Sequence, residues 1–173
     1  VILDGNLKET GKIEDIANNE RVYSVRFMGD VAYFVTFRQV DPLFSVDVSD
    51  PTSPKIIGSL KIPGFSDYLF PYGEGKLLGV GRSADETTGA VTGMKLSLFD
   101  ISNPANVTES FKTAVGNTYS EALTNHKATL ADAEKNLIAF PYNDEKGTKY
   151  LIYSLESTGF ALKAEIPLGG DGS

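Results

Sequence analysis

The chain has no cysteine and no tryptophan, and only one histidine and two methionines in 173 residues. Without cysteine there is no disulfide framework, no thiolate zinc or iron–sulfur site and no thiol nucleophile, although secreted and cytosolic compartments both stay open. Cations are also in short supply, with 16 Lys and Arg against 23 Asp and Glu and a formal charge of −7. An acidic chain without a basic cluster repels phosphate backbones and anionic lipid, so no nucleic-acid partner is expected. No apolar run approaches the ~20 residues that cross a bilayer, so no membrane insertion is expected either. The sequence opens at Val1 with no targeting segment and reads as a piece of something longer. Its hydrophobic share of 41% is ordinary for a globular protein.

What the sequence does contain is a repeat. Val46-Asp47-Val48-Ser49-Asp50-Pro51 returns as Phe99-Asp100-Ile101-Ser102-Asn103-Pro104, 53 positions on. A weaker copy, Tyr153-Ser154-Leu155-Glu156-Ser157, falls 54 positions further and has lost both the Asp and the Pro. The apolar runs before and after each copy predict strands at 23–29, 31–37, 43–49 and 54–62, then 67–72, 76–82, 94–101 and 107–115, then 126–131, 136–142, 149–155 and 160–168. Gly29-Asp30 reads as a hairpin turn. Residues 7–13 read as the last strand of an earlier unit.

Four short antiparallel strands in about 50 residues, repeated, are the pattern of a propeller blade. The fold class expected is all-β, a partial β-propeller of about three four-stranded antiparallel blades plus a strand of a preceding blade. The boundaries are 1–19 for the remnant and linker, 20–64, 65–118 and 119–168 for the blades, and 169–173 for a tail. Val31, Tyr33 and Val35 alternate with Ala32, Phe34 and Thr36, so each sheet would offer apolar side chains to both neighbours. A β-sandwich with coincidental Asp-x-Ser motifs is the competing architecture. Ser120–Lys135 is rich in helix formers and Ser120 suits a helix cap, yet the repeat register allows one helical turn at most before a strand.

The stretch ERVYSVRFMGDVAYFVTFRQVDPLFSVDVSDPTSPKIIGSLKIPGFSDYLFPYGEGKLLGVGR at 20–82, with MKLSLFDISNP at 94–104 and SEALTNHKATLADAEKNLIAFP at 120–141, resembles a family of prokaryotic secreted proteins. Its members carry a C-terminal β-propeller domain distantly related to WD repeats. The resemblance covers about residues 20–168 and implies the fold, together with a secreted or cell-surface location. In that family a His often precedes the Pro of the YLFPY segment, where this chain has Phe70.

The Asp-x-Ser-[Asp/Asn]-Pro motif places two acidic residues close together, which raises the question of a metal. Its recurrence at one register favours turn chemistry instead, with the carboxylate accepting backbone N–H bonds and Pro fixing the exit. No EF-hand loop is present, and no metal or other cofactor is expected. Arg38 and Arg82 follow the second strands of successive blades, on the face where the blades are joined. Their guanidinium forks suit a carboxylate or phosphate of a ligand, the alternative being pairing with Asp41, Asp85 or Glu86. His126, with Glu121 nearby, is the weak catalytic candidate, although no nucleophile elbow accompanies it. Glu121, Asp132, Asp144 and Glu145 are carboxylates of the kind glycoside hydrolysis uses, at separations the sequence does not set. Ser83–Gly93 reads as a polar loop on the same face as the two arginines.

These features point to a non-enzymatic binding or scaffold module of an exported prokaryotic protein, with a protein or carbohydrate ligand on the face of Arg38, Arg82 and the 83–93 loop. The alternative is an extracellular hydrolase or lyase acting on polymers, with Arg38, Arg82, Glu121 and His126 around the channel. A structural spacer is the third reading. Three blades cannot close a ring of about 4–8, so self-association through open blade faces is expected.

Overall fold

The computed structural model describes residues 1–14, 21–37, 41–85 and 87–168. A short hairpin of β1 (Ile2–Leu3) and β2 (Glu9–Gly11) precedes three sheets. The first sheet is β3 (Arg21–Met28), β4 (Val31–Phe37), β5 (Asp41–Asp47) and β6 (Lys55–Ile62). The second is β7 (Phe65–Pro71), β8 (Lys76–Ala84), β9 (Val91–Asp100) and β10 (Thr108–Gly116). The third is β11 (Leu130–Asp132), β12 (Leu137–Asp144), β13 (Gly147–Glu156) and β14 (Gly159–Pro167). Each sheet is an antiparallel meander in sequence order, so the chain is an all-β partial propeller of three blades. Met28 pairs with Val31 across the two-residue turn Gly29-Asp30, where Gly29 takes the left-handed φ of 60°.

Strand alternation sorts the side chains into two layers. Val31, Tyr33 and Val35 of β4 point to the second blade and meet Phe65, Leu69, Leu77 and Phe99 there, whereas Phe34 lines the opposite face. The second blade divides in the same way. Leu77 and Phe99 turn to the first blade, while Leu78, Val80, Leu96 and Leu98 turn to Ile138, Phe140, Leu151 and Tyr153 of the third. Both faces of β8 and β9 are covered, so residues adjacent along a strand, such as Leu77 and Leu78 or Leu98 and Phe99, are both apolar. Burying one such leucine contributes about 1.5–3 kcal/mol, so these two interfaces supply most of what holds the blades together.

The Asp-x-Ser turns are built as their chemistry predicts. Asp47 Oδ1 accepts from Ser49 N–H at 2.9 Å, and Asp100 Oδ1 accepts from Ser102 N–H at 2.9 Å. These turns also join the blades, since Ser45 Oγ of β5 donates to the Pro104 carbonyl. A Cβ on Gly58 of β6 would stand 2.7 Å from that carbonyl, and one on Gly11 of β2 would stand 2.2 Å from the Pro51 carbonyl. The β1–β2 hairpin therefore meets the first blade as the outer strands of the first blade meet the second. In the third blade the motif is gone and β13 reaches β14 through Ser157-Thr158 alone. There Gly159 faces the ring of Phe111, which holds in β10 the register position that Gly58 holds in β6.

The strand expected within 7–13 is β2, and it pairs with Ile2–Leu3 across a turn in which Asp4 Oδ1 accepts from Asn6 and Lys8 N–H. Two expectations are corrected. Residues 126–131 are not a strand from their start: two 3₁₀ turns, Glu121–Leu123 and His126–Ala128, come first, and pairing begins at Leu130. Each turn is capped, by Ser120 Oγ accepting from Ala122 N–H and by Asn125 Oδ1 accepting from Lys127 N–H. The first turn plugs Ala122 and Leu123 into the core between the second and third blades. Finally, strand takes in both ends of Ser83–Gly93, since β8 runs to Ala84 and β9 starts at Val91. Asp85 Oδ1 closes the short turn by accepting from Thr87 and Thr88 N–H.

Gly81 pairs with Ser66 where β7 bulges, and a Cβ added there would lie 1.9 Å from the Phe65 carbonyl oxygen. We expect Gly81→Ala to cost about 1–3 kcal/mol in urea unfolding, as overpacking against backbone does. Gly5→Ala, with open space around its Cβ, should leave the midpoint unchanged.

Candidate functional site

Arg82 lies inside β8 rather than after it. It lines a cleft of about 340 Å³ with Val91–Met94 of β9, Asn117 and Thr118 of the connection to the third blade, and Leu123. Its partner is not Asp85, which is engaged in its own turn, but Asp67, whose Oδ2 accepts from Arg82 Nε at 3.2 Å. The bulge between Ser66 and Tyr68 sets Asp67 beside the β8 end. Burial pushes the Asp67 carboxyl above the usual range, and Arg82 offsets this only in part. Arg38 and Glu86 lie outside the described residues, as does the side chain of Asp41.

A second cleft of about 390 Å³ adjoins the first through Asn117 and Thr118 and is lined by Tyr142, Asp144, Glu145, Lys149, Tyr153 and Glu165 among others. Lys149 Nζ is held between Asp144 at 2.7 Å and Glu165 at 2.5 Å. Hydrogen bonds to these two carboxylates hold its ammonium well above the usual lysine range and lower Asp144 in turn. Asp132 is bonded to Lys135. The carboxylates considered for glycoside chemistry are thus engaged with lysines in two of four positions, while Glu121 Oε1 accepts from Asn125 Nδ2 at 2.8 Å.

His126 opens the second 3₁₀ turn and stands exposed against Tyr68, with ring centroids 5.9 Å apart. It lines a third cleft of about 290 Å³ with Tyr23, Ser24, Val25, Arg26, Tyr68, Leu69 and Phe70. These residues come from β3 and β7, the first strands of their blades, which pack side by side along the inner rim. Arg82 and His126 therefore line different clefts, and Glu121 lines neither of them. Ser120 Oγ donates to the Pro141 carbonyl and caps its turn. Among the described residues no three His, Asp or Glu side chains group as metal ligands.

The sequence did not single out Arg26, Tyr23 or Tyr68, nor Lys95, which is buried in β9. Lys95 Nζ donates to the Pro63 carbonyl at 2.8 Å and lies 3.8 Å from the Glu109 carboxylate. A lysine flanked by apolar positions in a central strand was the available signal for that pair. For the inner-rim residues none existed, because only packing across blades brings them together.

A family described as "Beta propeller domain" matches residues 1–171. An uncharacterized protein of Archaeoglobus fulgidus is 45% identical over 140 residues, covering 81% of this chain and 22% of that protein. An uncharacterized protein of Methanocaldococcus jannaschii is 40% identical over 143 residues, covering 82% of this chain and 22% of its own length. The chain thus spans about a fifth of the curated relatives it matches. Among the described residues no helix is long and apolar enough to cross a membrane.

The turn reading of Asp47 has a pH signature. Hydrogen bonds from Ser49 hold its carboxyl below the usual range, so its contribution is present above the unfolded pKa of about 3.9 and fades as pH falls through the lower folded value. Asp47→Ala should lower the unfolding midpoint at neutral pH, and the gap should close in acid. EDTA should leave the midpoint unmoved, whereas a drop on chelation would restore the metal reading.

Proposed function

The chain belongs to the beta propeller domain family, and from that premise we propose that it is a non-enzymatic binding or scaffold module of an exported or cell-surface prokaryotic protein. Contacts with a protein or carbohydrate ligand are made on the face that carries the adjoining clefts at Arg82 and Lys149. The observation that carries this reading is the separation of the reactive groups. Acid–base or nucleophilic catalysis needs its groups within hydrogen-bond reach of one reacting atom. Here Arg82 is paired with Asp67 in one cleft, His126 rests on Tyr68 in another, and Glu121 is tied to Asn125. The alternative, a hydrolase or lyase of extracellular polymers, would need these three to converge. Neutralised charges, hydroxyls and tyrosine rings in adjoining clefts suit recognition of polar surfaces.

A glycan array, followed by sizing of every retained polymer, tests the reading. We expect retention without shortening, and Arg82→Gln should weaken it by about tenfold, the scale of one charge-assisted hydrogen bond. Polymer shortening would favour the enzyme, and a protein retaining neither glycan nor protein ligand would favour the spacer.

The end faces bear on assembly. Leu130, Ala139, Ile152 and Ala164 form a row across the third blade, and Pro141, Tyr150 and Ile166 form the next. Val25 and Phe27 are exposed at the other end, beside the cleft that Val1, Ile2 and Ile13 share with Val46 and Val48. Faces of this kind pair with another sheet. The chain alone should associate in sedimentation at micromolar concentration, and Ile152→Glu with Ile166→Glu should return it to monomer. A wild-type chain that is strictly monomeric would refute the association.

A further inference from the structure

Among the described residues, four cationic side chains are withdrawn from full exposure: Arg26, Arg82, Lys95 and Lys149. Three of them have carboxylate partners, namely Asp67 for Arg82, Glu109 for Lys95, and Asp144 with Glu165 for Lys149. The Arg26 side chain has no ion pair and no hydrogen bond among the described residues. In a chain with 23 Asp and Glu, carboxylates are not scarce, and a half-buried guanidinium without one bears an uncompensated desolvation cost.

Its surroundings show what would offset that cost. Arg26 lies on the side of β3 that faces the second blade, between Ser24, whose Oγ donates to the Ser66 carbonyl at 2.9 Å, and Met28, which packs on the core. It lines the inner-rim cleft with Tyr23, Tyr68, Phe70 and His126, and among the described residues no carboxylate lines that cleft. We propose that this cleft binds a small organic acid, a single carboxylate carried on a flat ring. The Arg26 fork matches a carboxylate bidentately. The Tyr68 hydroxyl and the imidazole supply further donors, while the Tyr68 and Phe70 rings offer faces and edges to the body of the ligand. A cleft of about 290 Å³ falls at the small end of ligand sites, which run to about 300–1,000 Å³. It takes a free small molecule rather than a length of polymer. This site is separate from the Arg82 face, so its failure and the failure of the binding-module reading are distinguishable.

Calorimetric titration of the intact chain with benzoate tests it, beside benzyl alcohol, which keeps the ring without the charge, and inorganic phosphate, which keeps charge without the ring. We expect saturable benzoate binding, with both comparison ligands weaker by about tenfold or more. Arg26→Gln should weaken benzoate by a similar factor, Arg26→Lys should fall between because an ammonium keeps the charge and loses the fork, and Lys112→Gln, at an exposed cation of β10, should change nothing. Circular dichroism of each variant checks its fold, and Arg26→Lys carries the test if Arg26→Gln does not fold. Absence of saturable benzoate binding, equal binding of benzyl alcohol or phosphate, or variants of Arg26 that bind as the wild type would each overturn the proposal.

Discussion

A sheet with two apolar faces has to be covered on both sides, and everything else in this chain follows from that requirement. The second blade meets it fully. Leu77 and Phe99 are buried on one side and Leu78, Val80, Leu96 and Leu98 on the other, so adjacent residues of a single strand belong to different cores. Neither core would exist without the neighbouring blade, so a blade alone is not a stable unit. The third blade is covered on one side, and the first has only the β1–β2 hairpin against its other side; these end faces carry Phe27 at 65% exposure and Ile166 at 49%. The relatives, several times longer than the chain, have residues enough to supply further blades.

Covered faces are not the whole of the contact between blades; the turns add backbone contacts at the outer strands. Each Asp-x-Ser turn holds its own carbonyls rigidly through Asx bonds, then presents one to a glycine of the adjacent outer strand. Gly11 and Gly58 are needed because the contact is backbone to backbone, and a methyl there would collide with a carbonyl oxygen. Between the second and third blades the solution changes. The turn has shrunk to Ser157-Thr158, and the phenyl ring of Phe111 fills the room that the longer turn takes up elsewhere. Loss of the motif in the third copy and the bulkier residue facing it belong to one structural change.

The same distinction between local and long-range determinants explains what the sequence revealed. The Asp47 and Asp100 turns were legible because their bonds reach two residues along the chain. Strand positions in the second blade were legible because burial on both faces leaves adjacent apolar residues, Leu77-Leu78 in β8 and Leu98-Phe99 in β9. The 3₁₀ turns were obscured because a strand register was extended through residues whose caps, Ser120 and Asn125, favour turns instead. The β1–β2 hairpin was missed because its paired segments are only two and three residues long. At the site, Arg82 stood out at a strand end, but its partner was not legible. Asp67 is 15 positions away and is brought near by a bulge that no sequence pattern announced. Arg26 reads as one more residue of a strand until the second blade is set against it.

Lys95 and Arg26 show how depth decides what a cation on the first–second blade interface can do. Lys95 is nearly inaccessible, where an unpaired ammonium would be prohibitive, so its protons are committed to Pro63 and toward Glu109. That pair ties the link between blades to the middle of β9, and its value lies in fixing register more than in net stability. Arg26 sits at the rim of the same interface, half in water. Solvent there lowers the cost of standing unpaired to something the fold can bear, yet leaves enough of it for an arriving carboxylate to relieve. Full burial would have required an internal partner, and full exposure would have left little to gain from any ligand. A half-buried position between two blades, walled by aromatic rings and without a carboxylate among the described residues, is where a guanidinium has most to gain from a ligand.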